Sequence, residues 1–84
     1  MPESLIDKAW KMDITKIPQR IRMDMEKFVL PYGVQELVGT PVRDVPDSTL
    51  LFLINECIKC TEREKALAIL WHRLREYEFY QNFE

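Results

Sequence analysis

Glycine is nearly absent from this chain: 84 residues contain only Gly33 and Gly39. A glycine-rich loop that cradles phosphate is therefore excluded, and no nucleophile elbow or H-E-x-x-H motif is present. The sequence holds one histidine, His72, and two cysteines, Cys57 and Cys60. Two cysteines in a chain read as non-secreted argue for reduced thiols rather than a disulfide scaffold. The longest uninterrupted aliphatic and aromatic run, Leu50 to Ile54, is far too short to span a bilayer. The segment MPESLIDKAWKMD is charged throughout and lacks the apolar centre of a signal peptide, which predicts a cytoplasmic protein with no membrane partner. A formal net charge of −2 gives no global pull toward nucleic acid or anionic lipid. No repeat or low-complexity tract is visible.

What is present reads as one small domain over residues 1–84, since 46% of residues are apolar and 31% charged. A chain this short buries only about two-thirds of its unfolded surface, so oligomerisation would add useful stability. The expected fold class is mainly α, a small domain of three to four helices with a central Gly/Pro-rich turn or minimal β-hairpin, α+β being the alternative.

Pro2-Glu3-Ser4 suits the start of a short helix carrying Leu5, Ile6, Ala9, Trp10 and Met12. Pro18 cannot sit inside a helix but can begin one. Ile21, Met23 and Met25 alternate as in a strand, whereas Met25, Phe28 and Val29 fit one helix face. A helix to about Phe28 is expected, then an extended piece before Pro31.

The stretch PYGVQELVGTPVRDVPD, Pro31 to Asp47, holds both glycines and three of the five prolines. Its Val34, Leu37 and Val38 suggest a corner folded back on the core, with the glycines supplying unusual backbone angles. Pro46 predicts the first turn of a helix to about Lys59, whose Leu50, Leu51, Phe52, Leu53, Ile54, Cys57 and Ile58 would make it the central helix. Thr61-Glu62-Arg63-Glu64 is a capping box. Leu67, Leu70, Trp71, Leu74 and Tyr77 follow as an amphipathic stripe, with Arg63, Arg73, Glu76 and Glu78 as its solvated side.

Cys57-Ile58-Lys59-Cys60 has the spacing of a zinc or redox pair. Its place at the expected end of a helix disfavours a thiolate, and zinc would need two ligands beyond the cysteines. Cys57, Cys60 and His72 are thus weak metal candidates, and core packing is the plainer reading. His72 has no evident nucleophile or carboxylate partner in sequence. Glu62/Glu64 and Glu76/Glu78 point apart on a helix and make no shared acid–base site. No enzymatic activity and no cofactor are expected.

Charge is uneven. Lys8, Lys11, Lys16, Arg20 and Arg22 stand against the single Asp13, whereas Asp44 to Glu84 has eight acidic and five basic residues. The basic group could meet nucleic acid with Trp10 stacking, or simply be solvated. The tail EYEFYQNFE places Tyr77, Phe79, Tyr80 and Phe83 within seven residues, more than one helix face can bury.

Leu30-Pro31-Tyr32-Gly33, Gly39-Thr40-Pro41-Val42, Asp44-Val45-Pro46-Asp47 and Leu50-Leu51-Phe52-Leu53 together resemble a small prokaryotic and phage domain family described as quorum-sensing-regulated virulence factors. A related domain follows the catalytic part of some exodeoxyribonuclease X-like proteins. The resemblance covers Leu30 to Leu53. It departs between the glycines, where Val34 to Val38 is longer than the family spacing and carries no basic residue. The resemblance implies a bacterial or phage setting near DNA metabolism, and no defined activity.

These observations lead to two expectations. The first is a non-enzymatic regulatory protein that binds another protein, or a second copy, through Trp10, Tyr77, Phe79, Tyr80 and Phe83. The second is a nucleic-acid-binding accessory domain using Lys8, Lys11, Lys16, Arg20 and Arg22.

Overall fold

The computed structural model describes residues 3–82. Its α-helices are α1 (Leu5–Lys11), α2 (Gln19–Lys27), α3 (Asp47–Asn55) and α4 (Glu62–Gln81), with short 3₁₀ turns at Ile14–Lys16, Gln35–Leu37 and Val42–Asp44. The fold is a small, mainly helical domain, and no strand is formed among the described residues.

Local chemistry sets the helix boundaries. Ser4 caps α1, its hydroxyl accepting from the Asp7 amide. Pro18 and Pro46 stand immediately before α2 and α3, where a missing N–H costs nothing. The capping box of α4 is complete: Glu64 N–H donates to Thr61 Oγ1 at 3.1 Å, and Thr61 N–H donates to Glu64 Oε1 at 2.8 Å.

The organising helix is α4, which corrects the expectation that the Pro46 helix would be central. Ala66, Leu67, Ala68, Ile69 and Leu70 are all buried. Consecutive residues turn by about 100° along a helix, so five of them sweep the whole circumference. At this level α4 is enclosed, with α1, α2 and α3 all packed against it. The expected stripe contained only two of these five positions, Leu67 and Leu70. Ala66 and Ala68 have little apolar area, but their small size permits close helix approach. Ala9 of α1, 2% exposed, does the same from the other side.

By contrast, α3 stops at Asn55 rather than Lys59 and buries only Thr49, Leu50 and Leu53. Leu51 is exposed, and Ile58, expected in the core, is 96% exposed. Glu56 and Cys57 both donate backbone N–H to Phe52 O, ending the helix before the cysteine loop.

Directly beyond the buried belt, α4 carries a polar collar that reaches each neighbour. Trp71 Nε1 donates to Met25 O at the end of α2 at 3.0 Å. His72 contacts Asp47, the first residue of α3. Arg73 Nη1 donates to Ala9 O of α1 at 2.6 Å, and Arg75 Nη2 donates to Val42 O at 2.8 Å. Arg73 is thus half-buried and engaged, not solvated as expected. Arg63 is exposed and pairs with Asp24 at 3.2 Å. At the far end of α1, Leu5 N–H donates to the Glu62 carboxylate.

The Gly/Pro stretch forms a closed corner. An isolated antiparallel bridge joins Val29 and Pro41, flanked by Leu30 N–H to Thr40 O at 2.9 Å and Val42 N–H to Phe28 O at 3.0 Å. In this register the bridge residues themselves donate nothing across it, so Pro41 sacrifices no hydrogen bond. Of the three apolar loop residues expected to fold inward, only Leu37 packs on the core; Val34 and Val38 are exposed.

Gly33 and Gly39 have φ of 125° and 88°. A Cβ at Gly39 would meet nothing within 4 Å, and one at Gly33 would make ordinary contact with Phe52 and Thr49. Substitution is therefore penalised by backbone conformation rather than by collision. Gly39→Val should cost about 1–2 kcal/mol, readable as a fall of several degrees in thermal melting. Gly39→Asn should recover part of the loss, because asparagine tolerates left-handed backbone. An unchanged melting temperature for Gly39→Val would refute the assignment. Thr61→Ala should cost about 1 kcal/mol through the lost cap of α4, measured by urea denaturation.

Candidate interaction surface

The burial of α4 is graded along its length. Ala66 to Leu70 are enclosed, Trp71 to Arg75 half-buried, and every described residue from Glu76 to Asn82 exposed. The reason is length. At 20 residues α4 extends for about 30 Å, whereas α1 and α3, with 7 and 9 residues, extend for about 10 and 14 Å. The last two turns therefore outrun their neighbours.

Those turns carry aromatic rings. Tyr77 is 38% exposed, Phe79 57% and Tyr80 64%. The expectation that Tyr77 would continue the buried stripe fails, because no described element covers that turn as Ala66 to Leu70 are covered. Phe79 and Tyr80 lie edge to face, with ring centroids 5.5 Å apart and planes at 78°. Their flanking charges, Glu76 and Glu78, are both acidic. Beside them, Asp47, Arg75, Glu76, Phe79 and Tyr80 line a shallow depression of about 250 Å³. Phe83 lies outside the described residues.

Trp10 does not join this group. It sits on α1, 46% exposed, and makes no ring contact among the described residues. The five cations of the basic segment are all exposed, but they span α1, the following 3₁₀ turn and α2. Lys11 Nζ pairs with Glu3 at 2.8 Å. The hydrogen bond and charge of Glu3 raise the Lys11 pKa above the ordinary lysine value. Asp13 is held below the ordinary carboxylate range, first by the Thr15 hydroxyl and then by the Thr15 amide. Lys8, Lys16, Arg20 and Arg22 form no ion pair among the described residues.

His72 is not the partnerless residue the sequence suggests. Its Nδ1 is 2.9 Å from Asp47 Oδ1 and its Nε2 is 3.0 Å from Glu76 Oε1. A neutral imidazole can donate to only one of them; the imidazolium donates to both. Asp47 is 25 positions away in sequence, which is why periodicity gave no sign of it. Glu76, expected on the solvated side of the helix, is the i+4 neighbour that helix spacing could have pointed to.

The cysteines also depart from expectation. Cys57 and Cys60 are joined in a disulfide rather than held as free thiols, and both are buried. Their Cα atoms lie 5.5 Å apart in the turn between α3 and α4, within bonding range. Among the described residues no three His, Cys, Asp or Glu side chains are grouped to hold a metal ion. No helix among the described residues is long and apolar enough to cross a membrane.

A second apolar surface went unread in the sequence. Phe52, assigned there to the core, is only half-buried and lines two depressions. One, of about 430 Å³, is formed with Gly33, Val34, Ser48 and Thr49. The other, of about 230 Å³, is formed with Tyr32, Glu56, Cys57, Ile58 and Lys59. The helix-face pattern could not reveal this, because the Gly/Pro corner that borders Phe52 is distant in sequence.

Comparison with known proteins returned no matching family model, no matching curated protein and no matching solved structure.

Proposed function

We propose that this protein is a non-enzymatic interaction module that binds another protein through the last two turns of α4. The observation that carries this reading is the exposure of Tyr77, Phe79 and Tyr80 on a helix that continues past its own packing partners. Fully burying one such ring against a partner contributes about 2–3 kcal/mol, so two or three suffice for a hot spot. A helical segment also loses little backbone entropy on binding, because it is already ordered. Glu76 and Glu78 favour a partner whose apolar pocket is rimmed by lysine or arginine. A second copy of the chain is a candidate partner as well, and the resemblance of the Leu30–Leu53 segment favours a bacterial or phage regulatory setting.

The alternative is a nucleic-acid-binding accessory domain. It is favoured by Lys8, Lys16, Arg20 and Arg22, exposed and unpaired among the described residues, with Trp10 nearby in sequence. The two readings separate by salt, since phosphate contacts weaken steeply as salt rises and apolar contacts do not.

The double substitution Phe79→Ser, Tyr80→Ser should abolish capture of a partner that wild-type protein retains at 0.5 M salt, and should leave thermal melting within about 2 °C because both rings are exposed. Sedimentation equilibrium on the same pair of proteins reads self-association directly. Equal capture and equal mass for both proteins would overturn the proposal. Binding to single- or double-stranded DNA that is lost on Arg20→Ala, Arg22→Ala would favour the alternative.

A further inference from the structure

The Cys57–Cys60 disulfide encloses only Ile58 and Lys59, at the corner between α3 and α4. A crosslink removes least entropy from the unfolded chain when its loop is this short, so it is a weak staple. The corner is also held without it. Cys57 N–H donates to Phe52 O at 3.0 Å, the Thr61–Glu64 box fixes the start of α4, and both cysteine side chains belong to the apolar core. None of these contacts is made through the S–S bond itself.

The two sulfurs sit in different surroundings. Cys57 lines the depression of about 230 Å³ shared with Tyr32, Phe52, Glu56, Ile58 and Lys59. Cys60 does not line it, and immediately precedes Thr61, the N-cap of α4. A thiolate at Cys60 lies by the positive end of a 20-residue helix, partly offset by Glu62 and Glu64 in the first turn. Glu56 and Lys59 bring one charge of each sign to the rim of the depression, and Ile58 stands almost fully exposed beside it.

We propose that Cys57–Cys60 is an exchangeable disulfide that accepts two electrons from a dithiol, with Cys57 the sulfur attacked and Cys60 the sulfur that leaves. One thiolate of the dithiol attacks Cys57 Sγ, the Cys57–Cys60 bond breaks, and Cys60 departs as a thiolate that takes a proton from water. The second sulfur of the dithiol, having given its proton to water, attacks the first. The dithiol closes to its own disulfide, and Cys57 leaves as a thiolate and is protonated. The protein disulfide is reduced and the dithiol oxidised by the same two electrons. The proposal rests on the corner and its depression, independently of the aromatic end of α4.

The test begins with the air-oxidised protein. Dithiothreitol under native conditions, followed by maleimide labelling and mass spectrometry, should add two labels while circular dichroism retains a cooperative melt. Recovery of free thiols alone after air oxidation, or labelling only after urea unfolds the chain, would overturn the proposal. The sulfur attacked is read by treating the oxidised protein with reduced glutathione, quenching with acid and locating the bound glutathione by tandem mass spectrometry. Glutathione should sit on Cys57 with Cys60 left as the free thiol, because the N-terminus of α4 makes Cys60 the better leaving group. Glutathione chiefly on Cys60, or equally on both, would overturn the assignment of Cys57.

Discussion

The enclosure of α4 between Ala66 and Leu70 is the constraint on which the rest of the structure depends. Helices of 7 and 9 residues are marginal in water by themselves, because nucleation is costly and few hydrogen bonds repay it. Here α1, α2 and α3 are stable because each places apolar residues against a longer, well-capped helix. The two alanines set how near the neighbours can come. A bulkier residue at Ala68, which is 0% exposed, would push at least one neighbour away and lose contacts along its whole length.

The polar collar follows from that enclosure. Once three short helices surround one long helix, side chains of the next turn of α4 come within reach of backbone carbonyls in α1, α2 and the Val42–Asp44 turn. Trp71, Arg73 and Arg75 supply donors to Met25, Ala9 and Val42, and His72 reaches the Asp47 carboxylate. Consecutive positions on a helix point in different directions, so one turn of α4 serves several neighbours. No buried side-chain nitrogen or oxygen is left without a partner among the described residues. Beyond the collar no element among the described residues covers α4, and its final turns have their aromatic rings exposed.

Legibility in the sequence followed the range of the interaction. The Thr61–Glu64 box, the proline starts of α2 and α3, the extended piece before Pro31 and the special backbone of Gly33 and Gly39 were all read correctly, since each is decided within a few residues. The choice of central helix was not. Leu50 to Ile54 is more apolar than Ala66 to Leu70, and hydrophobicity alone favours it. Burial depends instead on how many neighbours can gather around a segment, and small residues admit more of them. The stripe reading of α4 failed for the same reason, because a helix packed on all sides has no stripe.

The candidate sites divide in the same manner. The aromatic cluster was legible, but which rings stay exposed depended on where α1 and α3 end. The pairing of His72 with Asp47 and the two depressions around Phe52 join segments well apart in sequence, and no spacing rule reaches them. The cysteine pair was visible as a C-x-x-C, yet its state hinged on α3 ending before Cys57. That turned a supposed helix end into a corner where the two sulfurs meet. The sequence by itself determined where this chain turns, caps and stiffens, because those choices rest on a residue's own backbone and its near neighbours. The tertiary structure alone decided which helix lies at the centre, which side chains find polar partners and which rings face water, because those outcomes depend on which elements pack together.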